Sequence, residues 1–115
     1  MPMRTLYETR LDAGWQCEER DGALVCRAAF WLDPLDVCAR YLLHVEGAER
    51  AYRLVLRGLA VDGHVGDLLL DVTEHVMLED NTLEMMWSGT SLSANPPLQA
   101  LTLRAVPCEE ADAGL

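Results

Sequence analysis

Four cysteines, three histidines and five methionines are the side chains of this chain whose chemistry extends beyond packing. Cys17 and Cys26 flank the clearest local signal, two alternating runs joined by Asp21-Gly22, residues that tolerate the positive φ angles of a type I′ turn. With Asp21-Gly22 as a two-residue loop, Glu19 faces Leu24, Cys17 faces Cys26 and Trp15 faces Ala28. A non-hydrogen-bonded cross-strand pair sits about 4.5 Å apart at Cα, the lower limit for a disulfide. The amino terminus Met1-Pro2-Met3-Arg4 shows no basic start followed by an apolar stretch, so the expected setting is cytoplasmic. Free thiols packing as small hydrophobes are the expectation that follows.

Zinc needs three or four convergent ligands, usually announced by Cys-x-x-Cys or paired histidines at helical spacing, and neither pattern occurs. Met77, Met85, Met86 and His75 match Cu(I) by ligand softness, yet alternating methionines on a strand read first as packing or contact surface. No metal and no cofactor is expected. The run Ser88-Gly89-Thr90-Ser91 is not a nucleophile elbow, because its glycine does not flank a serine on both sides. His64, between Gly63 and Val65, has no base or nucleophile partner specified by spacing. No catalytic residue is assigned, and an enzyme is unsupported.

Length and charge narrow the remaining classes. The 115 residues suit one core, with half of them hydrophobic and 24% charged. A single β domain over 1–107 and an acidic flexible tail over 108–115 are expected. The net charge of −10 repels polyphosphates and argues against nucleic acid and anionic membranes as partners. The longest apolar runs, such as Leu68-Leu69-Leu70, fall far short of the roughly 20 residues of a membrane-spanning helix. Residues 58–103 hold no base and seven acids: Asp62, Asp67, Asp71, Glu74, Glu79, Asp80 and Glu84. That one-sign stretch points to a basic partner surface.

The elements that position these groups read as strands. Beyond the first hairpin, a second is expected from 37–45 and 50–59 about Gly47-Ala48, with Val37, Ala39, Tyr41, Leu43, Val45, Tyr52, Leu54 and Leu56 on one face. Its reverse would gather Arg40, Arg53 and Arg57. The competing template is a helix over 34–46, with Asp33 as N-cap and Asp36 in its first turn. A third hairpin is expected from 74–79 and 82–87 about Asp80-Asn81, turning Met77, Met86, Glu79 and Glu84 to solvent. Residues 67–78 also fit a short helix. Leu98 to Val106 forms a last strand with Leu101, Leu103 and Ala105 inward. Eight or nine short strands imply an all-β chain, an antiparallel β-sandwich or small barrel; α+β is the alternative.

The surface argument is stronger than any catalytic one. Flexible apolar groups framed by carboxylates, Met77 and Met86 beside Asp62, Asp67, Asp71, Glu79, Asp80 and Glu84, make a contact patch for a basic protein. If Phe30 faces the core, Trp31 faces out or enters an interface. Arg40, Arg53 and Arg57, on a separate element, offer the opposite charge for head-to-tail homo-oligomers. The expected function is a small acidic protein–protein interaction module: adaptor, inhibitor or assembly factor. Its rival is a small-molecule-binding barrel with Trp15, Tyr41, Tyr52 and Trp87 lining an interior cavity.

Overall fold

Alternating side chains in short runs become nine strands in the computed structural model, which describes residues 5–35, 37–89 and 95–108. They are β1 (Tyr7–Arg10), β2 (Gln16–Arg20), β3 (Ala23–Leu32), β4 (Ala39–Ala48), β5 (Tyr52–Leu56), β6 (Leu59–Gly63), β7 (Gly66–Asp71), β8 (Glu79–Ser88) and β9 (Ala100–Pro107). One antiparallel sheet runs β1-β9-β4-β7 and the other β2-β3-β8-β5-β6. Without β2, the chain steps from sheet to sheet in the doubly wound order of a jelly roll. The fold is an all-β sandwich. Met1–Arg4, Asp36, Thr90, Ser91 and the tail beyond Cys108 lie outside the described residues.

The first hairpin takes the expected register, Cys17 opposite Cys26 and Glu19 opposite Leu24, about Asp21 and Gly22 at φ 52° and 78°. No described residue of 34–46 is helical, with β4 beginning at Ala39; β7 takes 67–71, and within 67–78 only Thr73–His75 make a 3-10 turn. The second hairpin is corrected. β4 and β5 sit in different sheets, β4 between β9 and β7, β5 between β8 and β6. Gly47 does reach a positive φ of 64°, but within β4, where the register against β7 shifts between Val45 and Ala48 and Asp67 Oδ1 accepts its N–H at 2.7 Å. The glycine bends a strand instead of reversing it. The reversal falls later, at Arg57-Gly58, which splits the expected 50–59 strand into β5 and β6.

The third hairpin is corrected too. Asp80 and Asn81 lie inside β8, which pairs along its whole length with β3, Leu32 opposite Glu79 through Ala23 opposite Ser88. Asn81 is buried on the inner face. Its Oδ1 accepts from Met77 N at 2.8 Å and its Nδ2 donates to the carbonyls of Met77 at 2.9 Å and Glu79 at 3.1 Å. The Asp-Asn pair is thus a turn residue in chemistry and a strand residue in place: its amide closes the loop ahead of it.

The core fills the space between the sheets. Leu24, Cys26, Ala28 and Leu32 of β3, Leu83, Met85 and Trp87 of β8, and Leu54 and Leu56 of β5 meet Leu43 and Val45 of β4 and Leu101 and Leu103 of β9. Both cysteine pairs are bridged, Cys17 to Cys26 and Cys38 to Cys108, which corrects the expectation of free thiols. The second bridge ties the start of β4 to the end of β9, 70 residues apart.

Candidate functional site

The expected site residues divide over both outer faces. Trp31 of β3, Asp80, Glu84 and Met86 of β8, Arg53 of β5 and Asp62 of β6 share the outside of the five-stranded sheet, where Trp31 faces Asp80, and Arg53 faces both Met86 and Asp62. Glu79 begins β8 and Arg57 occupies the β5–β6 turn. Arg40, Asp67 and Asp71 belong instead to the four-stranded sheet. The expected arginine surface is therefore split, with Arg40 on the opposite side of the sandwich from Arg53 and Arg57.

Opposite charges are interleaved, not segregated. Glu84 lies between Arg27 at 3.3 Å and Arg20 at 3.8 Å, Arg20 also meets Glu18, and Arg40 is 3.6 Å from Asp71. His44 Nε2 stands 3.7 Å from Asp67. Arginines of the first half of the chain thus neutralise part of the acidic second half, and the one-sign field seen along the sequence is partly broken up in space. The side-chain hydrogen bond from Arg10 holds the Asp12 carboxyl below the usual carboxylate range, while partial burial opposes this.

Carboxylates gather around apolar side chains at one end of the sandwich, where β3 finishes and β8 starts. Trp31 is 55% exposed, as period-2 alternation from the partly buried Phe30 requires, and its indole N–H donates to Asp33 Oδ1 at 3.2 Å. Met77 and Leu78, 46% and 52% exposed, lead into Glu79 and Asp80 across the sheet from Leu32 and Trp31. Leu35 and Tyr7, both exposed, border a small pocket of 130 Å³ at the same end with Leu6, Leu32, Asp33 and Tyr41. A two-residue turn at Asp80-Asn81 would set Leu78 opposite Leu83 and turn it inward. The Asn81 hydrogen bonds instead hold Met77–Glu79 as a loop, with Glu79 at φ 91°, and leave Leu78 outside.

Two larger concavities lie elsewhere on the surface. A shallow trough of 750 Å³ at the other end is lined by Arg50, Arg53, Asp62, His64, Met86 and neighbours. A cleft of 570 Å³ runs along the edge of the sandwich between β1 and β3. Three of the aromatic residues expected around an interior cavity pack against one another, Trp87 fully buried, 6.1 Å from the Trp15 ring and 6.4 Å from that of Tyr52, while Tyr41 borders the small pocket beside Leu32. Burial pushes the Tyr52 hydroxyl pKa up. Among the described residues, no group of three or more His, Cys, Asp or Glu is placed to hold a metal. No helix there is long and apolar enough to cross a membrane.

No family model and no curated protein matches the chain. Solved structures do share its fold. An FMN-binding β-glucuronidase from Facaelibacterium prausnitzii L2-6 superposes with a TM-score of 0.65 at 16% identity, over 90% of this chain and 23% of that one. A β-glucuronidase from an uncultured Clostridium sp. gives 0.60 at 14%, over 76% and 20%. The β-D-glucuronidase of Dictyoglomus thermophilum gives 0.57 at 10%, over 76% and 21%. The chain spans about a fifth to a quarter of the length of these enzymes, and at such identities the likeness is one of β-sandwich fold alone.

Proposed function

We propose that this chain is a protein-binding module whose contact surface is the β3–β8 end of the sandwich. Trp31, Met77 and Leu78 supply the apolar centre and Asp33, Glu79 and Asp80 the rim, matching a partner with apolar anchors ringed by basic residues. The observation that carries this is the outward placement of Leu78 and Met77 beside Trp31, large side chains that burial would otherwise stabilise by about 1.5–3 kcal/mol each. Self-assembly through an arginine face is not part of the proposal, since Arg40 is separated from Arg53 and Arg57. The two disulfides favour an oxidising compartment over the cytoplasm.

Quantitative capture at low salt, with immobilised wild type, Leu78→Ser and a Glu79→Lys, Asp80→Lys variant, tests the reading. A basic protein retained by the wild type and lost with both variants supports it, with retention also falling as salt rises. Equal retention by all three proteins would remove the end patch from the function.

A further inference from the structure

A strand with ten residues has two edges to satisfy, and β3 satisfies them unequally. β8 pairs with it along its full length, whereas β2 pairs only with Ala23–Arg27. From Ala28 to Leu32 the second edge has no strand neighbour among the described residues, because the chain turns away at Trp15 toward β1 in the other sheet. The direction of the backbone groups follows from the register. Cys17 and Cys26 are 4.0 Å apart at Cα, the spacing of a non-hydrogen-bonded pair, so the next pair, Gln16 and Arg27, exchanges hydrogen bonds. By the same alternation the N–H and C=O of Ala29 and Trp31 point to the open edge. Those of Ala28, Phe30 and Leu32 point to β8.

Native sheets usually protect such an edge with a charge, a proline or a bulge. Ala28-Ala29-Phe30-Trp31-Leu32 contains no charge and no proline, and its pairing with β8 is regular. The 570 Å³ cleft lies along this edge, walled on the far side by Tyr7, Thr9 and Arg10 of β1 and floored by Trp15 and Phe30. Its volume is in the range of peptide and ligand sites. Arg10 and Arg27 line it and no carboxylate does, in a chain that carries ten more acids than bases. Arg10 engages Asp12 through Nε and Nη2, and Arg27 engages Glu84 through Nη2, which leaves Nη1 of each to an incoming group.

We propose that the open edge of β3 from Ala28 to Leu32, with the cleft beside it, binds an extended acidic peptide segment by strand addition. The segment continues the line of β2. Its backbone pairs with Ala29 and Trp31, alternate apolar side chains enter the cleft over Trp15 and Phe30, and its carboxylates, on the outward side, approach Arg27. The inference is independent of the end patch: it uses the backbone of Trp31, where the patch uses its indole.

Fluorescence anisotropy with labelled Glu-Val-Glu-Val-Glu-Val, and with Lys-Val-Lys-Val-Lys-Val as control, tests it on the whole protein. The acidic peptide is expected to bind at least tenfold more tightly than the basic one. Ala29→Pro, which removes an N–H from the open edge and leaves pairing with β8 intact, should weaken binding at least tenfold. Should that variant not fold, two peptides N-methylated on opposite alternate amides decide on the wild type: one set should abolish binding and the other spare it. Leu78→Ser should bind normally, which separates this site from the end patch. Absence of binding, equal binding of both methylated peptides, or a wild-type dimer that Ala29→Pro dissociates would each overturn the proposal, the last by assigning the edge to a second copy of the chain.

Discussion

The ring of Tyr52 lies against the backbone of Gly63 so closely that a Cβ on that glycine would stand 2.0 Å from Tyr52 Cζ. The two residues face each other across β5 and β6, and the missing side chain is what lets the tyrosine enter the core beside Trp87. Gly63→Ala is expected to lower unfolding free energy by about 2 kcal/mol through overpacking. In a Tyr52→Leu background most of that penalty should vanish, as a double-mutant cycle by urea denaturation would read.

The two disulfides should differ in what they contribute. Closing a loop with 70 residues restricts the unfolded chain more than closing one with 9, corresponding to about 4 and about 2.5 kcal/mol. Replacing Cys38 and Cys108 by serine should therefore lower the urea midpoint more than replacing Cys17 and Cys26. The reverse order would show that the long bridge constrains little.

Asn81 holds the loop that presents Met77 and Leu78, through one accepted and two donated hydrogen bonds. Asn81→Ala should cost about 2 kcal/mol, because the loop N–H and carbonyls lose their partner. Asn81→Asp should be at least as damaging, since a carboxylate then meets the carbonyls of Met77 and Glu79. Hydrogen exchange of the Met77 amide is the specific readout, and unchanged protection in both variants would exclude this role.

Acid stability should depend on Asp12. Its carboxyl is held below the ordinary 3.8 first by the hydrogen bond from Arg10, and Leu101 N donates to it at 3.1 Å. A folded-state pKa below the unfolded one means that the unfolded chain binds more protons, so this contribution is complete above about pH 4 and is lost as pH falls through the lowered value. Stability measured from about pH 5 to pH 2 should fall less steeply for Asp12→Asn than for the wild type. Parallel profiles would show that Asp12 titrates alike in both states.

Period-2 alternation by itself favoured strands, leaving 34–46 and 67–78 open to a helix, and determined which side chains share a face: Cys17 with Cys26, Leu101 with Leu103 and Ala105, Phe30 in and Trp31 out. It also located the one reversal whose residues, Asp21 and Gly22, carry their own conformational preference. Alternation says nothing about which strand lies next door, because a face is a local property and a neighbour is not. Only the tertiary structure decided that β4 pairs with β9 and β7 instead of β5, that Asp80-Asn81 continues a strand, and that Cys38 meets Cys108. The charge pattern followed the same rule. Arg27 and Glu84 are 57 residues apart along the chain and 3.3 Å apart in space, so Glu84, like Asp71 beside Arg40, gained an arginine partner only once distant strands were laid side by side.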